Sequence, residues 1–136
     1  MRYLALLALV ATTAGAQDRK PVGTSSPTLT PAIIVGKTVY GSGQLGMSRD
    51  NPDTSIAGQT KATLENIKRV FEQAGTTMER VDKCTVFLTD VKDFAGMNAV
   101  YRTFFPSAPP ARSTVVVAAL VVPNAKIEIE CIAHLP

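Results

Sequence analysis

An α+β domain is the fold class that this 136-residue sequence predicts, and three observations carry the prediction. Short runs rich in valine, isoleucine and threonine recur along the chain, as strands require. Two longer segments instead repeat apolar residues at helical spacing. The order of the two kinds is ββαβαββ, without the strict alternation of a parallel α/β sheet, so both helices are expected on one face of a mixed sheet.

The N-terminus stands apart from that domain. Arg2 precedes an apolar stretch at 4–11, and Ala14-Gly15-Ala16 forms a small-residue cleavage motif before Gln17. Residues 1–16 therefore read as a signal peptide cleaved near Ala16, too short to remain as a membrane span, and export to a periplasm or out of the cell is expected. Residues 17–27, Gln-Asp-Arg-Lys-Pro-Val-Gly-Thr-Ser-Ser-Pro, read as a flexible solvated leader, which leaves 28–136 as the folded domain.

Within the domain, Ile33-Ile34-Val35 and Thr38-Val39-Tyr40 flank Gly36-Lys37, a two-residue hairpin turn. Gly41, Gly43 and Gly46 punctuate the exit from the second strand, and the following loop ends in Asp53-Thr54-Ser55, which offers helix caps. Over 55–74, Ala57, Thr60, Leu64, Ile67, Phe71 and Ala74 share one helical face, Glu65, Lys68, Arg69 and Glu72 take the other, and Gly75 is the stop. Residues 81–88 are a strand by β-branched content. Asp93 can cap a second helix that carries Phe94, Asn98, Tyr101 and Phe105 along one side, and Pro106, Pro109 and Pro110 end it. Strands at 113–120 and 126–133 follow, joined by Val121-Val122-Pro123-Asn124-Ala125. Val115 to Ala118 have no polar face, and helices on one side cannot cover both faces of a sheet, so an oligomer is expected.

Composition narrows the function. Hydrophobic residues make up 46% and charged residues 18%, which fits one globular core and excludes a disordered chain. The net charge of +3 falls to +2 once Arg2 is removed, and only Lys68-Arg69 pairs basic residues in the domain. A nucleic-acid groove needs a denser basic stripe with interleaved aromatics, so no nucleic-acid partner is expected. One histidine and two distant cysteines make no metal-ligand set. Cys84 and Cys131 lie mid-strand and read as small buried hydrophobes rather than a bridge, because adjacent strands rarely offer disulfide geometry.

The residues that could carry chemistry sit near the C-terminus. Arg112 enters a strand from the proline-rich loop, and an arginine fork matches both oxygens of a small carboxylate without ever losing its charge. Glu128 and Glu130 share a face of the last strand, and one such carboxylate could orient water. Spacing does not bring them together, since a plain hairpin about Pro123 would set Glu128 near Ala118 and His134 near Arg112. On spacing alone, a structural ion pair of Arg112 with Glu128 or Glu130 across a subunit interface is the favoured reading. His134 reads as a surface or interface histidine, and Ser42 between Gly41 and Gly43 as turn chemistry.

Four segments in collinear order resemble one family. Gly36-Lys37-Thr38-Val39-Tyr40 leading to Ser42-Gly43-Gln44, the run from Cys84 to Asp90 with Phe94, Asn98 and Tyr101, Pro110-Ala111-Arg112-Ser113-Thr114-Val115, and Lys126-Ile127-Glu128-Ile129-Glu130 resemble the motifs of the RidA/YjgF/UK114 family. The resemblance implies a chorismate-mutase-like fold assembled as a homotrimer with clefts between subunits. It implies hydrolysis of reactive enamines and imines (2-aminoacrylate, 2-iminopropanoate, 2-iminobutanoate) to a 2-keto acid and ammonia, without metal or organic cofactor. By the same resemblance Arg112 holds the substrate carboxylate, Glu128 positions water, the backbone amides of Gly43 and Thr114 complete the cradle, and Ser42 and Asn98 line or support the cleft. The chain departs from the pattern where Pro27-Thr28-Leu29-Thr30-Pro31 stands in place of a common tyrosine, where Thr114 replaces a cysteine of some members, and in its export signal. A non-catalytic trimer that binds small carboxylates, or a chaperone-like trimer, is the alternative.

Overall fold

The computed structural model describes residues 18–47 and 53–136, so the signal-peptide reading of 1–16 lies outside the described residues. Those residues form strands β1 (Arg19–Val22), β2 (Ala32–Val35), β3 (Thr38–Gly41) and β4 (Gln44–Leu45), helix α1 (Ile56–Ala74), strand β5 (Val81–Leu88), helix α2 (Phe94–Phe104), and strands β6 (Ala111–Val116) and β7 (Ile127–His134). All seven strands join one sheet in the order β1-β2-β3-β7-β5-β6, with β4 also paired to β7. The α+β mixed sheet with two helices is as the sequence predicts.

Several elements follow directly from local chemistry. The Gly36-Lys37 turn sets Val35 opposite Thr38, and Gly36 takes a positive φ of 60° that an L side chain would resist. Ser55 caps α1 by accepting from the Gly58 amide at 3.0 Å. At the other end Gly75, at φ 84°, donates to Glu72, and Thr76 donates to Phe71, which closes the last turn. The buried stripe of α1 (Leu64, Ile67, Phe71, Ala74) and Met97 and Tyr101 of α2 pack on Val39, Cys84, Val86, Leu88, Ile127, Ile129 and Ala133 of the sheet. Buried Gln59 ties α1 to the approach to β7: its side-chain amide donates to the Asn124 carbonyl at 3.2 Å and its oxygen accepts from the Lys126 amide at 2.8 Å.

Five expectations are corrected, the last of them in the cysteines. The segment read as a solvated leader contains β1, which pairs antiparallel with β2 from Arg19↔Val35 to Val22↔Ala32, so the ordered domain reaches back past residue 28. The strand expected at 113–120 runs only from Ala111 to Val116. That strand and the next are not hairpin neighbours: β6 runs parallel to β5, and β7 inserts antiparallel between β3 and β5. The sheet face away from the helices is also not wholly apolar, because Lys83, Thr85, Ser113, Glu128 and Glu130 share it with Phe87 and Val115.

Cys84 and Cys131 stand directly opposite one another and are disulfide-bonded, contrary to the reading as two buried thiols. Their Cα atoms are 4.1 Å apart, the close approach of antiparallel pairs that exchange no ladder hydrogen bonds, and both side chains face the core. The bridge closes a loop with a sequence separation of 47 residues. Chain-entropy reasoning assigns such a closure about 4 kcal/mol. Reduction, or the Cys84→Ala/Cys131→Ala double change, is therefore expected to lower the urea midpoint by a corresponding amount, and thiol titration of the denatured, unreduced protein should find no free cysteine.

Candidate functional site

Arg112 lies on β6 opposite Cys84, on the helix side of the sheet, half-buried against α2. Its guanidinium carbon sits 4.6 Å from the Tyr101 ring centroid and 5.9 Å from that of Phe94, and Nη1 meets the Met97 sulfur at 3.8 Å. The rings' negative faces hold the cation in place without neutralising it. Among the described residues no carboxylate pairs with Arg112 within the protomer. An arginine fixed in this way, with its charge unspent, has the chemistry to receive an anion. Thr114 stands two residues along on the same face, opposite Val86.

A cleft of about 420 Å³ opens beside this arginine, lined by Asn98, Tyr101, Arg102, Phe105, Pro109, Pro110 and Arg112. The helical stripe Asn98, Tyr101, Arg102 and Phe105 forms one wall, and the prolines that end the helix form the other. The Tyr101 hydroxyl is buried with no hydrogen-bond partner among the described residues. Burial pushes its pKa up to about 12 despite the nearby Arg112 charge, so it remains a neutral donor.

Ser42, Gly43 and Glu128 form a second cluster. The Ser42 hydroxyl donates to the Thr30 carbonyl at 2.6 Å, and its amide donates to the Pro31 carbonyl at 2.9 Å. That hydroxyl bridges to the segment that precedes β2 rather than closing a local turn. Gly43 lies directly under the Glu128 carboxylate: a Cβ there would overlap Glu128 Oε1. The short β4 strand makes this contact by pairing Leu45 with Glu128. No hydrogen bond or ion pair of the Glu128 side chain is formed within the described residues, which leaves the carboxylate able to hold water.

The two clusters do not meet within one protomer. Glu128 pairs with Phe87, and Phe87 with Val115, three residues beyond Arg112, so Glu128 and Arg112 project from opposite faces. Two strand spacings and three residues separate their Cα atoms by roughly 14 Å. Arg112, Asn98 and Thr114 belong to one half, and Ser42, Gly43 and Glu128 to the other. Glu130 is exposed opposite Thr85, and His134 pairs with Asp82 at 3.0 Å on the surface. The sequence reading names neither Met97 nor Arg102; Arg102 follows Asn98 by four residues and Met97 precedes Tyr101 by four, a spacing that puts each pair on one helical face.

Residues 24–135 match the Endoribonuclease L-PSP family. The chain is 42% identical over 106 residues to the mitochondrial protein mmf2 of Schizosaccharomyces pombe, covering 75% of this chain and 83% of that protein. It is also 42% identical over 110 residues to the chloroplastic Reactive Intermediate Deaminase A of Arabidopsis thaliana, covering 76% of this chain and 57% of that longer protein. The crystal structure of yeast Mmf1 superposes with a TM-score of 0.81 at 32% identity, over 88% of this chain and all of that one.

The buried phenol generates a pH prediction. An unfolded tyrosine ionises near pH 10, whereas folded Tyr101 holds its proton to about 12. Below pH 10 both states are protonated and this residue adds no pH dependence. From pH 10 upward only the unfolded state releases the proton, so stability is expected to fall progressively toward pH 12. Ultraviolet titration should show one tyrosine ionising late in the native protein, and Tyr101→Phe should abolish that delay.

Proposed function

The chain belongs to the Endoribonuclease L-PSP family, the family whose motifs it resembles under the RidA/YjgF/UK114 name, and on that premise we propose that it is a hydrolytic deaminase of reactive imines and enamines derived from amino acids. The observation that carries the reading is the Arg112 guanidinium, held against Tyr101 and Phe94 with no protein carboxylate to neutralise it. The relative named Reactive Intermediate Deaminase A supports it. The substrates are 2-iminopropanoate, its enamine tautomer 2-aminoacrylate, and 2-iminobutanoate.

Arg112 binds the substrate carboxylate and fixes the adjacent C=N carbon. Glu128 accepts a proton from water as the oxygen attacks that carbon and passes it to the imine nitrogen, giving a neutral carbinolamine. Glu128 then takes the carbinolamine hydroxyl proton and delivers it to the nitrogen as the C–N bond breaks, so ammonia leaves as the carbonyl of the 2-keto acid forms. The imine carbon is already electrophilic, so orientation and one proton relay suffice, and no cofactor enters the scheme. The amides of Gly43 and Thr114 complete the cradle, with Ser42 shaping the turn beneath and Asn98 supporting the cleft.

The opposite facing of Arg112 and Glu128 favours a site completed between copies, and a homotrimer is the assembly proposed. Val115, Val116 and Tyr40, large and exposed in the single chain, supply apolar surface for that contact. The Cys84–Cys131 bridge suits an oxidising compartment and supports the proposed export.

The test is ammonia and keto-acid release from 2-aminoacrylate and 2-iminobutanoate generated in situ by a coupled enzyme. The wild type should accelerate release. Arg112→Ala should abolish the effect, and Glu128→Gln should cut kcat by roughly 10²–10⁴-fold. Gly43→Ala should fold normally, because the displaced group is the end of a flexible side chain, yet lose activity as Glu128→Gln does. A folded, assembled wild type that releases nothing above background would leave a small-carboxylate binding protein as the surviving reading.

A further inference from the structure

The cleft beside Arg112 contains a second guanidinium that the reaction above does not use. Arg102 lies one turn along α2 from Asn98, and its Nε donates to the Asn98 carbonyl at 3.3 Å. That bond steadies the side chain along the helix while its terminal nitrogens form no hydrogen bond or ion pair among the described residues. Arg102 and Arg112 line the same cleft, and none of the lining residues is acidic. Two uncompensated guanidinium groups on one cavity make a local field suited to a dianion.

Size points the same way. About 420 Å³ lies within the range that encloses molecules much larger than a three-carbon imine. Arg102, Phe105 and Pro109 line the same cleft as Arg112, so a substrate anchored by its α-carboxylate on Arg112 meets a second cation and apolar surface within that cleft. A neutral methyl or ethyl group would leave Arg102 solvated and idle. A side-chain carboxylate would engage it through a charge-assisted pair.

We propose that this cleft selects substrates with a second carboxylate, the imines of acidic amino acids, and that Arg102 is the residue that selects them. The proposal rests on the deaminase reading of Arg112 for its reaction, but its ligand class can be measured separately from turnover. Arg102 is exposed on α2 and makes no packing contribution that folding needs, so Arg102→Gln should fold and melt like the wild type.

Binding is measured first, by calorimetric titration of the assembled protein with oxaloacetate and 2-oxoglutarate against pyruvate and 2-oxobutanoate. The dicarboxylates should bind roughly ten- to a hundredfold more tightly than the monocarboxylates, and Arg102→Gln should remove that advantage while leaving pyruvate unchanged. Turnover of imines generated by oxidation of aspartate, glutamate and alanine follows, with the Arg102→Gln loss confined to kcat/KM for the first two. Equal affinities, or a dicarboxylate preference that survives Arg102→Gln, would overturn the proposal even if alanine-derived imine is hydrolysed. Arg102-dependent dicarboxylate binding with no imine turned over would uphold the ligand class and count only against the deaminase reading.

Discussion

The position of β7 between β3 and β5 is the constraint on which the rest of the structure depends. Its inward residues Ile127, Ile129, Cys131 and Ala133 are buried and lie under α1, while its outward residues include Glu128 and Glu130. A slip of one residue would exchange these sets, burying two carboxylates and exposing four core side chains. Three contacts pin the register. Val39 pairs with Ala133 on one side, the Cys84–Cys131 bridge locks the other, and β4 pairs Leu45 with Glu128 near the start. The first and second fix the core, and the third lays the Glu128 carboxylate over Gly43.

The same register determines where Arg112 can be. The strand β5 is paired on both sides, antiparallel to β7 and parallel to β6, so fixing Cys84 against Cys131 fixes Arg112 against Cys84. Arg112 then lies over α2, where Tyr101 and Phe94 replace part of its water with ring faces. A carboxylate in that place would satisfy the cation more strongly, but it would occupy the seat that an anionic ligand needs. The aromatic cage positions the group while leaving its hydrogen-bonding fork open. Gly43 follows similar logic on the other half, where the absence of a side chain makes room for Glu128.

What the sequence reveals divides along local and non-local lines. Helix α1 is legible from cap to stop because Ser55, the apolar stripe and Gly75 all act within a few residues, and the Gly36-Lys37 hairpin is legible for the same reason. The strand β1 is not, since Arg19-Lys20-Pro21-Val22 carries charges and a proline and becomes a strand only by pairing at the sheet edge. The parallel pairing of β6 and the insertion of β7 depend on tertiary packing, which no short window contains. The disulfide escaped for that reason, because its geometry exists only once Cys84 and Cys131 are in register. Alternation correctly placed Arg112 with Thr114 and Glu128 with Glu130, but it cannot say whether two pairs on different strands share a face. The family resemblance supplied the roles, and the pairing register supplies the separation between them.

That separation bears on how the chain could act. One protomer presents the unpaired Arg112 guanidinium on the helix side, next to the sheet edge formed by β6, and the Glu128 carboxylate on the opposite face near β4. Neither half is sufficient alone, since an anchored substrate needs a nucleophile and a positioned water needs a target. Flexing a single domain cannot unite them, because the intervening strands β5 and β7 form its most continuous core and carry the disulfide. A neighbouring copy can supply the missing half if its β4 region meets the β6 edge. The exposed Val115 and Val116 on that edge give the contact apolar surface, and Lys83 and Ser113, joined at 2.8 Å, give the adjoining face a polar register. On this argument assembly completes the site rather than merely burying surface, and a variant that assembles poorly should lose both carboxylate affinity and turnover although each half remains intact.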